Sequence, residues 1–445
     1  MRTAKRIILS TLTLGLMQAS FAQALNSSPY TRYGIGDIST PLNSAYFGNG
    51  GASVALGNVM GSYNHINLSN PATYGLVKRY NPIFNIDIGG KYSELKTETN
   101  SDKNTIAGLK NFSLLLPVSK KTGIVFGLSP FSTTGYSINT NQGDSITYRY
   151  DGKGSVNRAF IGLGQQIINK GDSVRLSVGA NLNYLFGTLD KRRSVEFEDI
   201  SFFNTKIVEK SIIRGFTYDA GVHYYQKLND KWSYQFGATL NIGKSITGYR
   251  DLYAYTYSLS TNGVGEFPKD TVDQFTDTEG TFYVPRGTSF GLALTFDNRF
   301  VFSGQYEFRN WQNYKESFDG IETNPSELRQ SSKAIIGLEY TPMNGTVHVN
   351  SSVLKLSTYR IGFHTGKTPY FLENTHLKEY GISFGVSIPL INSRTASSMN
   401  LGFDLGKMGT TENGLIEDNY FKFNLGFSLA PNSRFDRWFK KRLYN

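Results

Sequence analysis

From about Ile83 onward, the sequence alternates between apolar and polar residues with a period of two. In residues 173–184 the apolar positions are Val174, Leu176, Val178, Ala180, Leu182 and Tyr184, and small or polar residues stand between them. Successive side chains of a strand point to opposite faces, so each such segment predicts a strand with one apolar and one polar face. Residues 232–243 and 421–429 repeat the pattern. The sequence therefore predicts an all-β fold.

A transmembrane antiparallel β-barrel explains these strands better than a soluble β-sandwich, in which strands also alternate. The polar faces are rich in Gly, Ser and Asn, as expected of a barrel lumen, and short turns alternate with longer connections, as in outer-membrane barrels. We expect the longer loops near 95–106, 139–153, 189–206, 248–282, 311–328 and 409–418. Counting strands between the connections predicts 14 strands over residues 81–430. The long connection at 342–357 leaves twelve or sixteen strands open.

The first 22 residues have the pattern of a cleaved export signal. Basic residues precede a short apolar stretch, and Ser20 and Ala22 are the small residues that signal peptidase requires. The alternative is an N-terminal membrane anchor, but the apolar stretch is shorter than the roughly 20 residues that span a bilayer. We therefore expect cleavage after Ala22 and a location in the outer membrane of a Gram-negative bacterium.

Composition excludes several classes of protein. The chain has no cysteine, which excludes disulfide frameworks and thiolate metal sites. The formal net charge is +11, but Lys and Arg are scattered, unlike the basic stripe of a nucleic-acid-binding protein. We expect no nucleic-acid partner.

Motifs that resemble catalytic sites lack the required context. Residues 287–291 match G-x-S-x-G, but Ser289 lies inside an alternating strand pattern and not at a strand-to-helix turn. Residues 243–245 resemble the end of a phosphate-binding loop, again within a predicted strand. The five histidines show no short metal-binding spacing. We predict neither an enzyme nor a cofactor or metal site.

Residues 23–80 differ from the rest because they show neither strand alternation nor a helical period. They are dense in Gly, Asn, Ser and Tyr. We predict that they form an N-terminal hatch inside the barrel, with Tyr30, Arg32 and Tyr33 as candidate hatch residues. Whether these three contact a ligand or fix the hatch to the wall stays open, and we favour anchoring.

Pro130 interrupts the predicted third strand. Proline cannot donate a hydrogen bond to a strand ladder, and a closed barrel has no edge to accommodate it. Either Pro130 lies in the rim above the membrane, or it marks an opening in the wall through which an apolar ligand leaves sideways. Pro130 is thus our wall-opening candidate.

Residues 431–445 form a basic tail that we place in the periplasm. Its cations are interspersed with Trp438 and Phe439, aromatic residues that suit a membrane–water interface. We favour an interfacial anchor on lipid headgroups. The alternative is a docking site for a periplasmic or outer-membrane protein partner.

Four features together resemble the long-chain fatty acid transporter (FadL) family of outer-membrane barrels. They are the GGASVAL run at 50–56, the motif Asn70-Pro71-Ala72, Pro130, and the YRIGF stretch at 359–363. The resemblance implies fourteen strands, a luminal hatch containing Asn70, Pro71 and Ala72, lateral exit at Pro130, and hydrophobic substrates. The SPYTRYGIGD opening at 28–37 is similar to a secretion-associated branch that includes type IX secretion components.

Two functions are consistent with these features. The first is a channel for passive uptake of hydrophobic or amphipathic, fatty-acid-like molecules, with hatch gating and lateral exit. The second is a non-transporting barrel that scaffolds an outer-membrane secretion or assembly machine. Transport predicts an apolar luminal pocket and a wall gap at Pro130 within the membrane. Scaffolding predicts a filled lumen and an exposed apolar patch outside the lipid belt.

Overall fold

The computed structural model describes residues 28–57, 65–76, 82–143, 145–171, 173–199, 201–260, 265–343, 352–390 and 397–430. The predicted export signal and the basic tail lie outside these residues. Within them, no helix is long and apolar enough to cross a membrane. The two α-helices, Ser44–Phe47 and Val353–Leu356, have four residues each. Short 3-10 helices cover Pro29–Arg32, Pro71–Leu76, Trp311–Asn313 and Glu412–Gly414.

Antiparallel strands make up the rest of the architecture. They are β1 (Asp37–Ile38), β2 (Ile83–Lys96), β3 (Ser101–Pro117), β4 (Thr122–Gln142), β5 (Ile146–Asn169), β6 (Val174–Phe197), β7 (Asn204–Lys227), β8 (Trp232–Ile242), β9 (Lys244–Leu259), β10 (Glu266–Val284), β11 (Gly287–Phe296), β12 (Phe300–Asn310), β13 (Lys315–Phe318), β14 (Ile321–Thr323), β15 (Gln330–Tyr340), β16 (Thr358–Leu372), β17 (Thr375–Pro389), β18 (Ser398–Met408) and β19 (Glu417–Leu429).

These strands close into a fourteen-stranded barrel. β8 and β9 form one wall strand, because both pair with β7 on either side of Gly243. β10 and β11 form the next wall strand, interrupted at Pro285. The short strands β1, β13 and β14 are additions to the wall. β19 pairs with β2 over its whole length and closes the barrel, so the predicted number of strands is confirmed.

The two faces of the wall carry the chemistry that the alternation predicts. On β6, Val178, Leu182 and Tyr184 are exposed, whereas Ser177, Asn181 and Asn183 are buried inside. Exposed apolar side chains recur on the outer face of most strands and form a lipid-facing belt. Inside, buried Ser, Asn, Gln and His side chains line the lumen.

The predicted long loops are wrong in most places, because strands continue through them. β5, β6 and β7 each contain 24 residues, whereas about 9–11 residues cross a bilayer. The stretch expected as a loop at 248–282 is mostly the hairpin of β9 and β10. These extensions project beyond the belt at one end of the barrel, which we call the loop end. The opposite end, with the short connections, is the turn end and faces the periplasm in barrels of this class.

Candidate functional site

Residues 28–57 and 65–76, here called the luminal segment, pack against the inner face of the wall. Side chains of the wall form hydrogen bonds with the backbone of the luminal segment. The Gln305 side-chain oxygen accepts from the Ser53 and Val54 amides, each at 2.8 Å. The Gln235 oxygen accepts from the Gly57 amide at 3.0 Å. Because β8 and β12 supply these contacts, the segment is joined directly to wall strands.

A belt of wall glycines lets the luminal segment approach the wall backbone. A methyl group at any of them would come closer than 3.0 Å to atoms of the segment. This glycine belt comprises Gly123, Gly164, Gly179, Gly221, Gly237, Gly337, Gly362, Gly385, Gly402 and Gly426.

The glycine belt lies near the turn end and is continuous from strand to strand in places. Gly164 is the direct cross-strand partner of both Gly123 and Gly179, and Gly179 is in turn opposite Gly221. At Gly179 and Gly362 the nearest luminal atoms belong to backbone. Backbone cannot turn aside as a flexible side chain can. The turn-end half of the segment is therefore clamped by the wall.

The motif Asn70-Pro71-Ala72 lies at the centre of this clamp, and all three residues are buried. The Asn70 side-chain nitrogen Nδ2 donates to the Val54 carbonyl at 2.8 Å and to the carbonyl of Val222 in the wall at 3.0 Å. The Asn70 side-chain oxygen accepts from the Ala72 amide at 3.0 Å. Pro71 begins the 3-10 helix Pro71–Leu76 and contacts Gly164 and Gly179. Asn70 thus links the luminal segment both to itself and to the wall.

Tyr30, Arg32 and Tyr33 lie toward the loop end. The buried Tyr30 hydroxyl donates to the Ile416 carbonyl at 2.6 Å and accepts from the Ile416 amide at 2.8 Å. Its ring stacks on Tyr370, with centroids 5.6 Å apart. The Arg32 guanidinium lies over the Tyr33 and Tyr150 rings. These contacts are those of anchors between segment and wall, and Tyr33 also faces the cavity described below.

The wall opens between β3 and β4. Their ladder starts at the pair Pro117–Gly123 and ends at Phe112–Leu128. Beyond it, residues 101–111 of β3 pair with β2 alone, and residues 129–142 of β4 have lost β3 as a neighbour. Pro130 stands two residues past the last pair, and the register with β5 shifts between Pro130 and Ser132. We call this unpaired stretch the wall gap.

The wall gap begins within the lipid-facing belt. Phe112 and Leu128, which form the last pair, are 47% and 38% exposed, and Leu109 above them is 40% exposed. Large apolar side chains on the outer face at this level face lipid. The β3–β4 ladder therefore ends beside lipid-facing side chains, two residues before Pro130.

The luminal segment covers part of the free edge of β4. β1 pairs with it through Asp37–Thr133 and Ile38–Ser132. The Ser39 amide donates to the Phe131 carbonyl at 2.9 Å, and the Ser28 amide to the Gly135 carbonyl at 3.2 Å. Gly36 has φ +90° and lies against Thr133 and Thr134, where a side chain would not fit. One side of the gap is thus completed by residues 28–39, including β1, and not by β3.

A cavity of about 430 Å³ connects the luminal segment with both sides of the wall gap. Ile106 and Lys110 line it from β3, Ser129 and Pro130 from β4, and residues 33–42 from the segment. Its lining is as much polar as apolar, with Lys91, Lys110, Lys333, Lys367, Lys422, Asp37, Glu307, Arg309 and Glu379 among the lining residues. The cavity is therefore not the apolar pocket that simple hydrocarbon uptake predicts.

Some of the charges around the cavity are paired. Lys91 Nζ lies 2.6 Å from Asp418, and Glu379 receives Lys422 at 3.4 Å and Lys333 at 4.0 Å. Lys110 and Lys367 make no ion pair with any residue that the structure describes.

Ser289 of the G-x-S-x-G match lies within a strand, and two of the histidines make hydrogen bonds inside the barrel. Ser289 is inside β11, opposite Glu307 and Thr239. His223 contacts the Ala55 carbonyl at 2.9 Å, and His364 contacts the Tyr420 hydroxyl at 3.1 Å. In the described parts of the chain, no three His, Cys, Asp or Glu residues are grouped to hold a metal ion.

The sequence matches the model of the BamG family over residues 3–445. The chain belongs to the BamG family. None of the curated proteins matches it in sequence. The secretion-associated branch suggested by the opening motif is not identified by these comparisons.

Solved structures show the same fold at low sequence identity. The CymD monoaromatic hydrocarbon channel is 13% identical, with a TM-score of 0.56 over 88% of this chain and 98% of its own. The toluene transporter TbuX of Ralstonia pickettii is 14% identical, with a TM-score of 0.55 over 88% and 99%. A FadL homologue of Pseudomonas aeruginosa is 10% identical, with a TM-score of 0.55 over 89% and 99%. This BamG-family chain therefore has the FadL-type barrel fold.

Proposed function

We propose that the barrel is an outer-membrane channel for passive uptake of hydrophobic or amphipathic small molecules, which leave sideways through the wall gap. The observation that carries the proposal is the cavity that is lined by residues from both sides of the wall gap. A molecule in this cavity has a direct path to the bilayer. The solved structures of the same fold include a monoaromatic hydrocarbon channel and a toluene transporter, which supports this class of substrate.

The geometry favours lateral exit over passage through the turn end. Passage to the periplasm would require the clamped half of the luminal segment to leave the glycine belt. Residues 28–42 are attached at the gap by a two-residue strand and single hydrogen bonds, and Tyr30 and Ile35 also pack in a buried apolar cluster with wall residues. We propose that hatch gating is restricted to these residues, while residues 43–57 and 65–76 stay in place.

The mixed lining of the cavity favours amphipathic over purely apolar cargo. The charged side chains that line the cavity can interact with a carboxylate or hydroxyl group of a ligand, whereas a neutral hydrocarbon gains little from them. Fatty-acid-like compounds therefore fit better than simple aromatic ones.

Substitution of Pro130 by Val tests the route. Valine can donate a ladder hydrogen bond and fits a strand, so β4 regains its regular edge at the gap. We expect uptake of a radiolabelled fatty acid to fall toward that of cells without the channel. Pro389→Val, at the turn end of β17, is the matched control. Unchanged uptake in the Pro130 variant with normal barrel assembly would reject lateral exit.

A second function, scaffolding of an outer-membrane machine, is favoured by the loop end. On β10, Phe267, Val272 and Phe275 are 57%, 66% and 50% exposed, outside the lipid belt. Large apolar side chains that are exposed outside the lipid belt are candidate contacts for a protein partner. The scaffold proposal predicts that replacing all three by Ser removes a defined complex on native gels while uptake stays unchanged. The same complex in both proteins would reject it.

A further inference from the structure

The tip of the β9–β10 hairpin stands free of the rest of the barrel. Residues 266–277 of β10 are exposed throughout. Within the described part of the chain they pair with β9 alone, because β13 joins β10 only from Gly280 to Tyr283. Lipid does not cover this tip. The eleven residues of β8 already have the length that crosses a bilayer, and the tip pairs with residues 252–259 of β9, which begin ten residues past Ile242.

Two β-bulges place four side chains of this tip on one face of the hairpin. The four are opposite alternate residues of β9: Phe267 opposite Ser258, Asp270 opposite Thr256, Asp273 opposite Ala254 and Phe275 opposite Leu252. Residues two apart in a strand share a face. In a strand without bulges, Asp270 would face away from both phenylalanines. The register shifts between Pro268 and Asp270 and between Thr271 and Asp273 bring it onto their face. We call these four residues the acid–aromatic face.

The acid–aromatic face combines apolar surface with negative charge. Phe267 and Phe275 are each at least half exposed, about 20 Å apart along the strand, and the two aspartates lie between them, about 7 Å apart. Residues 266–279 contain five acidic residues and one lysine, whereas the whole chain has a formal net charge of +11. Covering the phenylalanines is favourable for any apolar partner. The aspartates restrict the partner to a cationic one. Because the bulges interrupt the edge of β10, addition of a regular strand is disfavoured and side chains must make the contact.

We propose that the acid–aromatic face binds a basic polypeptide segment of another protein at the cell surface. Lys or Arg side chains of that segment pair with Asp270 and Asp273, and its apolar side chains cover Phe267 and Phe275. This inference rests on the scaffold function proposed above and specifies the chemistry of the partner. A second copy of the face has the same charge and would be repelled. The chain's own basic residues 431–445 follow β19 at the turn end, on the other side of the membrane.

Photo-crosslinking of the full-length barrel in living cells tests the proposal, with p-benzoyl-phenylalanine in place of Phe275 as the probe. We expect irradiation to join the barrel to one other protein, at a segment in which mass spectrometry finds at least two Lys or Arg residues. Asp270→Asn combined with Asp273→Asn should lower the crosslinking yield about fivefold, the effect of losing two exposed charge pairs. Asp270→Lys combined with Asp273→Lys should lower it to the level without irradiation.

The control combines Asp102→Asn with Asp319→Asn, two exposed aspartates of the loop end that lie outside the acid–aromatic face, and its yield should be unchanged. Heat-dependent migration on gels verifies that each variant barrel is folded. An unchanged yield in the Asp→Lys protein would overturn the proposal and leave a scaffold that binds through apolar contacts alone. A crosslinked segment without Lys or Arg, or one from a second copy of this chain, would also overturn it. Absence of both the crosslink and the complex on native gels would reject the scaffold function itself.

Discussion

The turn-end and loop-end halves of the barrel hold the same luminal segment in different ways. At the turn end, glycines on successive strands bring the wall into contact with segment backbone around Asn49 and Pro71. At the loop end, residues 28–39 line one side of an interrupted ladder through a few hydrogen bonds and aromatic contacts. From this comparison we propose that the turn-end half of the segment stays in place. Change in conformation is expected at the other end.

The strongest test of this contrast adds a methyl group to the glycine belt. In Gly179→Ala the new Cβ would overlap the backbone of Pro71 and Ala72, which cannot move aside. We expect destabilisation of about 3 kcal/mol, the upper part of the range for overpacked cores. Urea unfolding of the purified barrel measures it. Gly304→Ala is the control, because nothing lies within 4 Å of its added Cβ. Equal stability of the two variants would contradict the clamp.

Asn70→Ala tests the clamp through hydrogen bonds. The substitution leaves the carbonyls of Val54 and Val222 and the amide of Ala72 without their side-chain partner. A buried group left without a partner costs about 1–3 kcal/mol. Because water that enters the space of the lost side chain satisfies some of these groups, we expect the free energy of unfolding to fall by about 2 kcal/mol in total. Limited proteolysis should then cut near residue 70 in the folded barrel. Full resistance to protease would show that the glycine belt holds the segment without Asn70.

Tyr30→Phe tests the weaker, loop-end attachment. It removes both hydrogen bonds with Ile416 and keeps the ring stacked on Tyr370. We expect a loss of about 1–2 kcal/mol in local stability. Amide exchange in residues 28–36 should accelerate, while residues 71–76 keep their protection. Faster exchange in both regions would mean that the two halves move as one unit.

Arg32→Ala should have the smallest effect, about 0.5–1 kcal/mol, because a partly exposed cation–π contact is weak. Amide hydrogen exchange in residues 28–36 measures this effect, and Arg32→Lys, which keeps the positive charge, is the conservative comparison. A larger effect than that of Tyr30→Phe would reverse the order of the two anchors.

Much of the fold could be predicted because lipid and lumen impose opposite requirements on alternate residues. Val178 and Leu182 face lipid, and Ser177 and Asn181 face the lumen, as their alternation in the sequence indicates. The extended hairpin of β9 and β10 could not be predicted in the same way. Residues 266–277 are exposed throughout, so neither face selects apolar residues.

The site was only partly predictable. Pro130 and Asn70 stand out because proline in a strand and a short asparagine–proline motif are unusual. The glycine belt does leave a signal, since Gly179, Gly237 and Gly426 occupy inward positions of alternating strands. The sequence pattern shows that small residues face the lumen, but it does not show that the backbone of the luminal segment packs against them. The acid–aromatic face was missed because bulges break the alternation, and the bulges depend on the register between two strands.

Hydrogen–deuterium exchange of the full-length barrel in nanodiscs tests the central contrast in one measurement. The account predicts slow exchange in residues 71–76 and in residues 123–128 of β4, where both neighbours are paired. It predicts fast exchange in residues 101–111 of β3 and 136–142 of β4, at the amides that point into the wall gap. Uniform protection along β3 and β4 would show a closed wall, and fast exchange in residues 71–76 would show a mobile plug. Either result would contradict the account.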